Sequence, residues 1–251
     1  MSAIPRDYVD NMTRAVNQLS EAAQRELADR LAKVDFDQPV AKVREQVIAI
    51  MQAICGGSTD LAAMLAAEFY DGLREYEIGE RMGAVAVSGR VPAATDGAVR
   101  AFAEKLVDGE PEQFVTLCQE RVDYEIKRAT AESVLGNGMR DRDKPRYARV
   151  PTGSETCDYC LMLASRGFVY RSLAAASHFH SGCDCRVVPS WEAHEVEGYD
   201  PSELYERWQE AVDAKAEERA ERRGTSFDEE RRAIMAAYER AASAAKKRNR
   251  S

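Results

Sequence analysis

The sequence predicts an α+β protein, predominantly helical with one small β module. Two patterns carry that expectation. Apolar residues recur at three-and-four spacing through residues 1–140 and again through 196–251. Between them, residues 141–195 hold short runs of β-formers bounded by Gly, Pro or Ser. Composition agrees, since 8% aromatic residues, 15 Gly and 8 Pro in 251 residues are few for a protein of many strands and turns.

The first helix follows from Tyr8, Met12, Ala15, Val16, Leu19, Ala23, Leu27 and Leu31, which share one face. Pro39 opens a second, carrying Val43, Val47, Ile50, Met51 and Ile54. Gly56 and Gly57 are expected to stop it, because glycine tolerates the left-handed conformation at a helix end. Ser58 then reads as the N-cap of a third helix through Leu61, Met64, Leu65 and Phe69. Residues 83–93 break the pattern as a loop. A helix resumes near Asp96 with Val99, Phe102, Ala103 and Leu106, and Asp108–Pro111 interrupts it. Another runs from Pro111 to Leu135 and is expected to end at Gly136 and Gly138.

The next stretch reads as short β pieces, Tyr147–Val150, Gly167–Tyr170 and Arg186–Val188, with no helix between them. Helix returns at Asp200-Pro201-Ser202-Glu203, where a cap precedes Pro at the first turn, and at the Ser226/Glu229 capping box. The stripes of these two helices are thin: Leu204, Trp208 and Val212, then Ile234, Tyr238 and Ala241. They are expected to lie on a partner surface or project outward, ahead of a disordered basic tail. The expected domains are a helical domain at 1–140, a Cys/His module at 141–195 and a helical C-terminal arm at 196–251.

A net charge of −8 argues against a general nucleic-acid coat. No apolar run reaches the roughly 20 residues of a membrane helix, and the N-terminus lacks the apolar region of a signal peptide. The expectation is a protein that folds in a cytoplasm and has no membrane partner. In that reducing setting six cysteines are thiols or metal ligands first. Cys55 and Cys118 fall on apolar helix faces and read as core.

The other four stand close together. Cys157-x-x-Cys160 is followed by His180-x-x-Cys183-x-Cys185. Ligands separated by two residues can reach one tetrahedral ion, so the segment predicts one structural zinc, and the fold becomes one with a small zinc-stapled β module. Five candidates compete for four places, with His180 and Cys185 rivals for the last; His178 reads as a loop residue. Rival readings are four buried thiols, a disulfide pair, a redox Cys-x-x-Cys and a catalytic zinc. The redox reading lacks an evident strand-to-helix setting, and a site so rich in thiolates tends to be closed. Ser154, Glu155 and His178 suggest a hydrolase, but no nucleophile elbow accompanies them, so no enzyme is expected. Arg140, Arg142, Lys144, Arg146 and Arg149 form a basic stretch that reads as a solvated loop or a weak nucleic-acid site.

TCDYCLMLASRGFVY followed by HFHSGCDCRVVPSW resembles the MuF-like head morphogenesis proteins of tailed bacteriophages. ARVPTGSETCDYC with SRGFVYRS is especially similar to minor capsid proteins of phages that infect actinobacteria. The likeness covers residues 146–191. It implies a structural virion protein of the capsid interior, present in the host cytoplasm during assembly. It also implies association with the portal protein and other head proteins, and sometimes with DNA during packaging or ejection. The family's metal-type positions fall on Cys157, Cys160, His180, Cys183 and Cys185. Many relatives have Asp-Gly after the Cys-x-x-Cys where this chain has Arg166-Gly167. Two alternatives stay open: a capsid maturation protease or other head-assembly enzyme, and a DNA-contacting accessory protein using Arg140–Arg149 with Lys246–Arg250.

Overall fold

A computed structural model describes residues 2–87, 92–153, 156–171 and 183–248. Three long helices form the body: α1 (Arg6–Leu31), α2 (Val40–Ile78) and, after the short α3 (Pro92–Phe102) and α4 (Glu104–Val107), α5 (Pro111–Arg140). They pack on one another around Val16, Leu27, Met51, Leu73, Phe114 and Ile126, all buried. β1 (Arg146–Pro151) and β2 (Cys185–Ser190) form a two-stranded antiparallel sheet against α5, with Arg146 opposite Ser190 and Pro151 opposite Cys185. The mostly helical chain with this small sheet agrees with an α+β class.

Local signals and structure part company at the glycines. The expected break at Gly56–Gly57 does not occur, for α2 runs unbroken to a left-handed Gly79. Ser58 is no cap: its hydroxyl donates back to the Ile54 carbonyl, and Thr59 Oγ1 donates to the Cys55 carbonyl at 2.6 Å. Both residues are buried, so packing of α2 offsets the roughly 1 kcal/mol that a mid-helix glycine costs. Likewise α5 continues through Gly136 and Gly138 to Arg140. There the glycines permit close approach: a Cβ at Gly136 would meet Val87 Cγ2 at 3.3 Å, and one at Gly138 would collide with the Tyr147 hydroxyl.

Three further expectations are corrected. α3 begins at Pro92, ahead of Asp96. The expected β piece at Gly167–Tyr170 reduces to one antiparallel bridge between Tyr147 and Tyr170. A helix, α6 (Asp158–Ala164), stands where only β pieces were expected. The C-terminal helices α7 (Pro201–Arg223) and α8 (Phe227–Arg248) also differ from expectation. The α7 stripe of Leu204, Trp208, Val212 and Ala216 is buried within the chain, α7 packing on α6 and α8 on α7. Tyr238 completes that seam, its ring centroid 6.1 Å from Trp208 and 6.2 Å from Tyr159. The side chains of Lys246–Arg250 lie outside the described residues.

A buried polar hub ties the sheet to the helices. Asp141 Oδ2 accepts from Tyr70 Oη at 2.9 Å, Arg74 Nε at 3.1 Å and Trp191 Nε1 at 3.1 Å. Glu77, also buried, accepts from Ser190 Oγ and from the backbone N–H groups of Trp191 and Ala193. One apolar core runs from Ile4 through Val188 to Ile234, so it crosses all three expected segments. α2 is long and apolar enough to cross a membrane by length and composition, but half of its apolar window is buried inside the protein, as in a core helix.

Candidate metal centre

Two chain segments converge beside the sheet. The first leaves β1, and Cys157 caps α6, its Sγ accepting from Cys160 N–H at 3.4 Å. The second enters β2 through Cys183 and Cys185. Asp184 locks them together, its carboxylate accepting from Gly153 N–H at 3.1 Å and Thr156 Oγ1 at 2.8 Å. Its carbonyl accepts from Thr152 Oγ1 at 2.5 Å. The residue between the second pair of cysteines thus holds the approach to the first.

Cys160, Cys183 and Cys185 are buried in a cluster apart from the main apolar core, and their sulfurs all lie within 4.8 Å of one another. Cys160 Sγ and Cys183 Sγ are 3.6 Å apart, too far for a disulfide. The edge of a tetrahedron with Zn–S bonds of about 2.3 Å is about 3.8 Å, so the spacing fits sulfurs sharing one ion. Cys157 lies on the exposed side, in hydrogen-bond contact with the Cys160 thiol. Cys160, Cys183 and Cys185 can therefore hold a metal, with Cys157 adjacent. His180 and His178 lie outside the described residues, as do Ser154 and Glu155.

The decisive neighbour is Arg149. Side chains two apart on a strand share a face, so Arg149 and Pro151 of β1 lie with their partners Val187 and Cys185 of β2. The Arg149 guanidinium is fully buried, and its Nη2 donates to Cys183 Sγ at 3.2 Å. Burial alone would lower its pKa, but the sulfurs of Cys185, Cys183 and Cys160 outweigh that and raise it. A charge in a dry interior needs an opposite charge, and here the sulfurs supply it. Hydrogen bonds from Cys160 and Cys185, with Arg149 alongside, hold the Cys183 thiol far below its ordinary range. Hydrogen bonds to Cys157, Cys183 and Cys185 push Cys160 up, the opposite direction from Cys183.

This placement corrects the basic stretch. Arg149 is not on a solvated loop; it faces the sulfurs. Arg140, Arg142, Lys144 and Arg146 are exposed. The helix at Cys157–Cys160 corrects the expectation that the motif lacks a strand-to-helix setting, since β1 precedes it and α6 follows. Cys55 and Cys118 are buried as expected, and burial followed by the nearby Cys55 pushes the Cys118 thiol up to about 12. Sequence reasoning named Arg149 in another role and missed Asp184 and Arg186, the last buried with its Nη2 donating to Asn17 Oδ1 at 2.8 Å. The usable signal was proximity to the cysteines: Asp184 lies between two of them and Arg186 follows one directly.

Residues 3–211 match the family described as VG15 protein. The chain belongs to this family. The match takes in the sheet, all four clustered cysteines and the first half of α7. Among relatives of this chain, the Gene 15 protein of Mycobacterium phage L5 is 29% identical over 133 residues, covering 36% of this chain and 45% of that protein. The Gene 15 protein of Mycobacterium phage D29 is 27% identical over 123 residues, covering 35% and 44% respectively. The chain thus spans less than half the length of these curated relatives. They support a phage origin for this chain. No solved structure matches it.

Proposed function

We propose that this protein is a structural, non-enzymatic component of a tailed-phage head, a minor capsid or head morphogenesis protein. It would bind the portal protein and other head proteins in the capsid interior, with one zinc ion as an internal staple. The observation that carries the reading is the closed sulfur cluster. The segment resembling MuF-like proteins brings three cysteines together out of solvent against a buried guanidinium. Catalytic metals keep an open position toward substrate, whereas structural zinc is enclosed by its ligands. Cys157, Cys160, Cys183 and Cys185 would hold the ion, with His180 the rival for one place. The ion would supply the cohesion that two six-residue strands and a seven-residue helix lack.

Elemental analysis of the purified chain should find one zinc per molecule, lost in Cys160→Ser. Full solubility and an unchanged near-UV signal without metal would remove the staple. Mass spectrometry of purified phage particles should find the protein in the head, and it should co-purify with the portal protein. Absence from particles would overturn the head assignment. Cleavage of the major capsid protein by the purified chain would replace it with a head-assembly enzyme.

A further inference from the structure

We infer a second site in this protein, a cationic cleft that binds a phosphate group carrying a nucleoside: a nucleic-acid strand or a free nucleotide. The cleft, of about 610 Å³, lies between the end of α5 and the start of β1. Lys144, Arg146 and Arg171 supply its charge, and Leu135, Met139 and Tyr147 supply apolar wall. The volume is that of a small-molecule site. It lies apart from the cysteine cluster, and no cysteine is among its described lining residues.

Charge makes the cleft unusual. In a chain with net charge −8, a polyanion is repelled unless cations are gathered locally. Most arginines of the helical body are engaged by acids: Arg74 with Asp141 and Asp143, Arg100 with Glu45, Arg128 with Glu125 and Glu132. Among the described residues, Lys144, Arg146 and Arg171 form no ion pair, and no carboxylate lines the cleft. Arg142, close in sequence, instead lies 3.8 Å from Asp143 and 3.9 Å from Glu80.

The backbone assembles the three. Lys144 has φ 44°, a left-handed conformation unfavourable for a residue with a side chain. Its ammonium donates to the Met139 carbonyl at 2.7 Å, which fixes it over the end of α5 with further N–H groups to give. Arg171 comes from a distant part of the chain. Tyr147 N–H donates to the Tyr170 carbonyl at 2.8 Å and Tyr170 N–H donates back at 3.2 Å, so the residues flanking this bridge, Arg146 and Arg171, line one cleft. Guanidinium forks match phosphate oxygens bidentately, and the apolar wall suits the attached sugar and base. The basic stretch read from sequence is thereby redrawn: Arg149 turns inward, and Arg171 joins.

The test is fluorescence anisotropy of the intact protein with a short labelled single strand at low salt, repeated with a duplex and in competition with a mononucleotide or inorganic phosphate. Arg146→Gln and Arg171→Gln should each weaken binding roughly tenfold and lower the salt slope by about one. Arg142→Gln should leave binding unchanged, and thermal melting and metal content should stay constant in all three. Competition by the mononucleotide assigns a free nucleotide; binding by the strand alone assigns a polymer. Failure to bind any probe, displacement of the strand by inorganic phosphate as readily as by the mononucleotide, or equal weakening by Arg142→Gln would overturn the site. The head and zinc readings would be untouched by that failure.

Discussion

Two buried arginines, Arg74 in the helical body and Arg149 in the cysteine segment, solve one problem with different partners. Arg74 reaches Asp141 at 3.1 Å, Asp143 at 2.5 Å and the Glu80 carbonyl at 2.7 Å. Its counter-charge is built into the chain, because a carboxylate is ionised at neutral pH in any setting as polar as this one. Arg149 has sulfurs, and a thiol is ordinarily protonated at neutral pH. The body is thus electrostatically complete as folded. The cysteine segment is complete when thiolates form, the state that metal ions select. One chain therefore has a part whose cohesion is independent of metal and a part whose cohesion should follow it.

The largest test of that contrast is Cys160→Ser. Tertiary signal from the β1–α6–β2 segment should collapse in near-UV circular dichroism while far-UV helical content stays close to wild type. A uniform loss of both would merge the two regions into one cooperative unit. Next, Arg74→Met should cost about 3–5 kcal/mol in urea unfolding, because it leaves Asp141 buried without its cation, and chelator should not alter that figure. Arg149→Met should act instead on metal retention, weakening zinc by about ten- to a hundredfold in competition with a chelator.

Gly138→Ala probes the seam between the regions. The added Cβ would strike the buried Tyr147 ring, and the cost should be about 1–3 kcal/mol of thermal stability. Acid separates the regions in another way. Burial opposes ionisation of Asp141, but bonds from Asp143 N–H, Tyr70 and Arg74 outweigh it and lower its pKa. A lowered carboxylate contributes stability above its unfolded value of about 4 that is lost as pH falls through the folded value. Stability should decline below about pH 4, and Asp141→Asn should flatten that part of the profile. The smallest effect has the opposite sign: Gly57→Ala, in open space on a helix, should stabilise the body by about 0.4–1 kcal/mol.

How far the fold was legible depended on how far each signal reached along the chain. Val16, Leu27, Val47, Met51, Cys118 and Ile126 announced their helices because three-and-four spacing is a local property, and all are buried. Gly56–Gly57 and Gly136–Gly138 misled because glycine marks a helix end and a close approach equally well. Val87 and Tyr147, which decide between the two at the second pair, lie outside α5, where helical periodicity does not reach. α6 was hidden by its length: seven residues leave no room for a period, and its cap is a cysteine.

The clustering of Cys157, Cys160, Cys183 and Cys185 is a matter of spacing, and spacing is written in the chain; so is the acidic balance that makes any cationic cleft an exception. What only the tertiary structure decided is which way the charges point. Arg149 and Arg146 sit three apart on one strand, yet one is sealed against sulfur and the other opens on a cleft with Arg171. Strand alternation puts the two on opposite faces, but it does not say which face is sealed and which is open. A charge is buried or exposed according to partners that folding brings from elsewhere, here Cys183 and the backbone of Tyr170.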